Sequence, residues 1–72
     1  MPDNMRAIKK DIFDIIESYP AEKRYLLAMM QDVQEEYNFL PPRGLEVIAE
    51  YTHVPFSKVY SIATFYKAFS LI

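Results

Sequence analysis

Cysteine and tryptophan are absent from this chain, and glycine and histidine occur once each. Without cysteine there is neither a disulfide nor a thiolate metal site. With His53 as the lone histidine, a zinc site would rest on carboxylates, so no metal-ligating or catalytic residue is expected. Long apolar runs are missing too. None approaches the ~18–20 residues that span a bilayer, so no membrane insertion is expected. The opening MPDNMRAIKK has no apolar signal-peptide core, which together with the lack of cysteine fits a cytoplasmic setting. The net charge of −2 argues against a phosphate backbone as partner. Carboxylates are missing from one region in particular. All ten acids lie between positions 3 and 50, whereas 51–72 holds two lysines and no acid.

The sequence does hold a high apolar content, 51% of its 72 residues. So short a chain buries only about 60% of its unfolded surface. The expectation is one helical domain over 1–72, with its core in about 5–70 and a partner compensating for the small core.

Helical periodicity dominates. In NMRAIKKDIFDIIESY, Ile8, Ile12, Ile15, Ile16 and Tyr19 share one face, and Lys9, Lys10, Asp11, Asp14 and Glu17 lie mostly on the other. Asp3 or Asn4 can cap its start, and Pro20 ends it at Tyr19. Pro20 then suits the first turn of a second helix, with Leu26, Leu27, Met30, Val33 and Tyr37 as its stripe and Asn38 as a left-handed stop. Of the adjacent Met29 and Met30, at most one is expected in the central core. Phe39 and Leu40 tuck inward before a third helix that starts at Pro42 and faces Leu45, Ile48 and Ala49 inward. Gly44 weakens that helix slightly. THVPFS is a tight corner with His53 as a surface or capping residue, and Ser57 caps a fourth helix, KVYSIATFYKAF. The fold class is therefore all-α, a small four-helix domain with short loops.

At about 100° per residue, Val59, Ile62, Ala63, Tyr66 and Phe69 make one apolar face of the fourth helix, which Phe65 and Ile72 widen to roughly half the circumference. A surface helix needs a stripe of only about 100°. Val59, Ile62, Ala63 and Tyr66 read as core. Tyr60, Phe65 and Phe69 are open to either core or partner.

The runs VQEEYNFLP, LEVIAEYTHVP and VYSIATFYKAF resemble the N-terminal helical domain of the small thioredoxin-like [2Fe–2S] subunit of NADH dehydrogenase modules. That subunit occurs in respiratory complex I and in NAD(P)-linked hydrogenases and formate dehydrogenases. The resemblance covers roughly 26–69 and is sharpest at Val59–Tyr60, Ala63–Thr64–Phe65–Tyr66 and Phe69. Asn38 and Ser61 stand where the family usually has glycine. The larger departure is that the four cysteines of the family's thioredoxin-like domain have no counterpart here. The resemblance implies a non-catalytic docking role that positions the cluster domain against the flavin- and NAD(P)H-binding subunit. It also implies no cofactor in this chain, a [2Fe–2S] cluster in a downstream domain missing here, and FMN and NAD(P) in the partner. The expected contact residues are Tyr60, Phe65, Tyr66, Phe69, Leu71 and Ile72. The run of apolar residues at the end is expected to lead toward that domain or partner.

The alternative is a helix-turn-helix DNA-binding module, because Ala49, Val59 and Ile62 have the spacing of two helices packed at a corner. The usual turn glycine is His53, however, and the would-be recognition face of Lys58, Ser61, Thr64 and Lys67 has no Arg, Asn or Gln for bidentate base contacts. No nucleic-acid partner is expected. Glu35 and Glu36 point about 100° apart on a helix and read as a solvated face, not a catalytic pair.

Overall fold

The three-and-four spacing closes into four α-helices and one 3-10 turn among the described residues of the computed structural model, which are 10–66 and 68–71. In chain order these are α1 (Ile12–Ile16), the 3-10 turn (Lys23–Tyr25), α2 (Leu26–Tyr37), α3 (Pro42–Thr52) and α4 (Phe56–Phe65). No strand occurs among the described residues, so the fold is all-α.

In the first half of the chain two boundaries differ from expectation. α1 stops at Ile16, and the Tyr19 N–H closes a tighter turn onto the Ile16 carbonyl at 3.0 Å. Pro20 disfavours helical geometry at the residue before it, and the effect reaches back through that turn. Ile8, Lys9, Asp3 and Asn4, assigned to the same helix from sequence, lie outside the described residues. Nor does Pro20 open α2. Glu22 is extended (φ −133, ψ 146), and the 3-10 turn intervenes before α2 starts at Leu26. Those residues reverse the chain, bringing the Tyr25 ring onto Tyr19 at 5.9 Å.

Both stops are left-handed residues: Asn38 as expected, and His53, which was expected as a surface or capping residue and caps α3. Asn38 (φ 69) donates its N–H to the Gln34 carbonyl, and His53 (φ 61) donates to that of Ala49. Pro42 occupies the first turn of α3, where its missing N–H leaves no bond unmade.

One buried cluster joins Ile12 and Ile16 of α1, Leu26, Met29, Met30 and Val33 of α2, Leu40, Leu45, Ile48 and Ala49 around α3, and Val59 and Ala63 of α4. Met29 and Met30 are both fully buried, correcting the expectation that only one would be. Adjacent side chains diverge by about 100°, and α2 packs against both α1 and α3, so both directions are covered. Phe39 is half-buried, whereas Leu40 beside it is fully enclosed. Gly44 has a packing role: a Cβ there would lie 3.3 Å from Val33 Cγ1 and 3.7 Å from Ile12 Cδ1. Its cost to helix propensity is offset by the close approach of α3 to α2. Thr52, the one buried polar residue among those described, bonds its hydroxyl to the Ile48 carbonyl at 2.8 Å.

Tyrosine hydroxyls tie α1 at both ends. Tyr37 donates to the Lys10 carbonyl (2.7 Å), and the Lys10 N–H donates to Glu36 (3.1 Å). Glu36 is thereby drawn into the structure, whereas Glu35 keeps the solvated position expected of both. At the other end Tyr19 donates to Asp32 (2.6 Å), and Tyr51 of α3 donates to the Tyr19 carbonyl. The hydrogen bond to Asp32 raises the Tyr19 pKa, helped by partial burial and the charge of Asp32. A raised folded-state pKa gives stability that is complete below the unfolded value of about 10 and lost as pH climbs through the folded one. Tyr19→Phe is therefore expected to cost about 1 kcal/mol at neutral pH. It should also flatten the alkaline loss of stability, read from urea midpoints between about pH 8 and pH 11. An unchanged alkaline limb in the variant would refute the assignment.

Candidate functional site

α4 carries the residues singled out from sequence, and its start is set by proline. The Pro55 carbonyl accepts the N–H groups of Lys58 (3.0 Å) and Val59 (3.1 Å), so the helix begins at Phe56 and Ser57 is not its cap. Val59 and Ala63 are buried and Ile62 is half-buried, as expected. Tyr66 was expected in the core but is 44% exposed.

Tyr66 is displaced because the helix ends before it. Tyr66 has an extended backbone (φ −92, ψ 115), so the helical wheel does not carry through to Phe69. The cause is tertiary. Gln34 of α2 donates its side-chain N–H to the Ala68 carbonyl and accepts the Ser70 N–H, both at 2.7 Å. The Leu40 N–H donates to the Ser70 carbonyl, also at 2.7 Å. This clamp holds the backbone of 68–70 beside α2, and Phe69 and Leu71 pack half-buried against the core. Gln34→Ala is expected to lose about 1–2 kcal/mol and to speed amide exchange at Ser70 and Leu40. Unaltered exchange at both would show that something else holds the segment.

The expected contact residues therefore separate into groups. Tyr60 is 48% exposed and stacks on Phe56 (centroids 5.9 Å apart) along one flank. Phe65, 82% exposed, meets Tyr66 edge-on at 5.9 Å at the end of the helix. Five residues separate Tyr60 from Phe65, about 140° around the helix axis. Phe69 and Leu71 face the core, and Ile72 lies outside the described residues. Phe56 and Gln34 were not singled out from sequence. Pro55 placing Phe56 at a helix start was a readable signal for the first; nothing local marks the second.

The corner between α3 and α4 has a helix-turn-helix outline, with His53 adopting the left-handed geometry usually given to glycine. Lys58, Ser61 and Thr64 are exposed, but the Thr64 hydroxyl is engaged by the Ser61 carbonyl at 3.0 Å. Among the described residues no group of three or more His, Cys, Asp or Glu is placed to hold a metal ion, and no helix is long and apolar enough to cross a membrane.

Residues 12–72 match the family of thioredoxin-like [2Fe-2S] ferredoxins. The chain belongs to that family. Two of its relatives are E subunits of NADH-quinone oxidoreductase. The one from Rickettsia bellii is 36% identical over 61 residues, covering 81% of this chain and 36% of that one. The one from Mycobacterium tuberculosis is 31% identical over 68 residues, covering 94% and 27%. A third relative, the HndA subunit of the NADP-reducing hydrogenase of Solidesulfovibrio fructosivorans, is 25% identical over 63 residues, covering 88% and 37%. The chain thus spans roughly a third of the length of these curated relatives. The family name carries a cluster held by cysteine thiolates. This chain has no cysteine, and its one histidine caps α3. The residues present do not fit the cluster, and no electron-transfer step is assigned to them.

Proposed function

We propose that this chain is a non-catalytic docking element of the [2Fe–2S] electron-transfer subunit of an NAD(P)H-dependent oxidoreductase. It would position a cluster-bearing thioredoxin-like domain against a subunit that binds FMN and NAD(P), in a cytoplasmic setting. The carrying observation is Phe65, 82% exposed and edge-on to Tyr66 at the end of α4. An aromatic ring in water has given up the apolar burial that stabilises the rest of a small bundle, and a partner surface restores it. The names of the relatives, subunits of a quinone oxidoreductase and of a hydrogenase, support the same assignment. Phe69 and Leu71 hold the segment beside α2, and Tyr60, Phe65 and Tyr66 are the exposed aromatics offered to the partner.

The test is size-exclusion chromatography of the purified chain with the flavin-bearing subunit from the same genome. Co-elution is the expected result. Failure to form a complex, or salt-dependent binding of duplex DNA at roughly micromolar affinity, would overturn the docking reading.

A further inference from the structure

The 3-10 turn, the first turn of α2 and one flank of α4 with its cap Tyr66 border an open groove lined by Lys23, Arg24, Leu26, Leu27, Lys58, Ile62 and Tyr66. The apolar members form its floor: Leu26 is buried, Leu27 and Ile62 are half-buried, and the Tyr66 ring is partly exposed. The three cations are exposed and form its rim. Phe65 follows Ile62 by three residues and Lys58 by seven, which places it on that same flank.

The charge here departs from that of the whole chain. The net charge is −2, yet 51–72 contributes only lysines, and the first turn of α2 contains no acid. The positive end of the α2 dipole adds to the same sign. A carboxylate is nearby, that of Glu22, which pairs with Arg24 at 3.3 Å. Both of those side chains are more than half exposed, so the pair is weak and exchangeable. An apolar floor offers a phosphate backbone nothing to bond, whereas it accepts aliphatic and aromatic side chains.

We propose that this groove binds an acidic amphipathic segment of a partner protein. The segment sets its apolar side chains on Leu27, Ile62 and Tyr66 and its carboxylates against Lys23, Arg24 and Lys58. The assignment rests on the docking reading and deepens it by giving the chemistry of the contacting segment. Phe65 extends the floor, and the cations steer the encounter.

Zero-length carbodiimide cross-linking of the complex with the flavin-bearing subunit tests this, because it joins a lysine amine to a carboxylate in direct contact. Mass spectrometry is expected to find Lys23 or Lys58 joined to Asp or Glu of the partner. Lys58→Glu is expected to slow association on the order of tenfold at low salt, with the difference shrinking at high salt. Lys58→Arg should retain the wild-type rate. Lys58 is exposed in the first turn of α4, where a glutamate also suits the helix dipole, so the variant keeps its fold. A complex that forms with neither lysine cross-linked and an unchanged Lys58→Glu rate would overturn the groove assignment and leave docking intact. If no complex forms, both fall. Lysine-dependent binding to phosphatidylserine vesicles, with no effect on the complex, would replace the protein segment with a lipid surface.

Discussion

Ile48→Ala is expected to lower the melting temperature of this bundle by about 10 °C or more. Ile48 is fully buried in the middle of α3, with Leu45 and Ala49 beside it in the same cluster. Truncating an isoleucine there removes three carbons and leaves a cavity that helices already packed closely at Gly44 cannot readily close. Such changes cost about 2–5 kcal/mol. At typical values per residue, 72 residues give a total stability of only about 4–11 kcal/mol. A single truncation therefore removes a large share. Circular dichroism melts of the variant measure it, with Ile48→Val as the graded control at about 0.5–1.5 kcal/mol. A drop under about 5 °C for the alanine variant would mean that Ile48 is not central to the core.

Phe65→Ala is expected to do the reverse, keeping the fold and losing the partner. From sequence alone the variant was ambiguous, because a phenylalanine on a wide apolar face could have been core. With Phe65 82% exposed at the last position of α4, its ring contributes little to the bundle. The stability change is expected to stay within about 0.5 kcal/mol, the range for surface substitutions. Binding to the flavin-bearing subunit should weaken by about 2 kcal/mol, roughly 30-fold, as for an aromatic anchor at an interface centre. Isothermal titration of wild type and variant reads the loss, and matched melting curves confirm that the fold is retained. Equal affinities would remove Phe65 from the interface.

The contrast between these variants shows where sequence reasoning reached. Val59 and Ala63 were readable as core because helical spacing puts them on one face with no polar neighbour between. Tyr66 and Phe69 were assigned to that face on the premise that the helix continues. No local breaker contradicts the premise: neither Gly nor Pro stands between Phe65 and Leu71. The helix stops because Gln34 and Leu40, more than two dozen residues earlier, provide the polar partners that hold 68–70 beside α2. Tyr66, expected in the core, then turns outward, whereas Phe69, open to either role, packs half-buried against the core. The Met29–Met30 pair reversed for a related reason, since a wheel counts directions but not how many neighbours a helix has.

By itself, then, the sequence determined the all-α class, the left-handed stop at Asn38, the capping place of His53 and the proline start of α3. It also determined the absence of thiolate chemistry and the family. These depend on backbone geometry, residue chemistry and periodicity, which act within a few residues. The tertiary structure alone decided where α4 ends, which aromatics face solvent and that Lys23, Arg24 and Lys58 share one groove. Those outcomes depend on hydrogen bonds and packing between segments distant in the chain, and periodicity along one helix does not encode them.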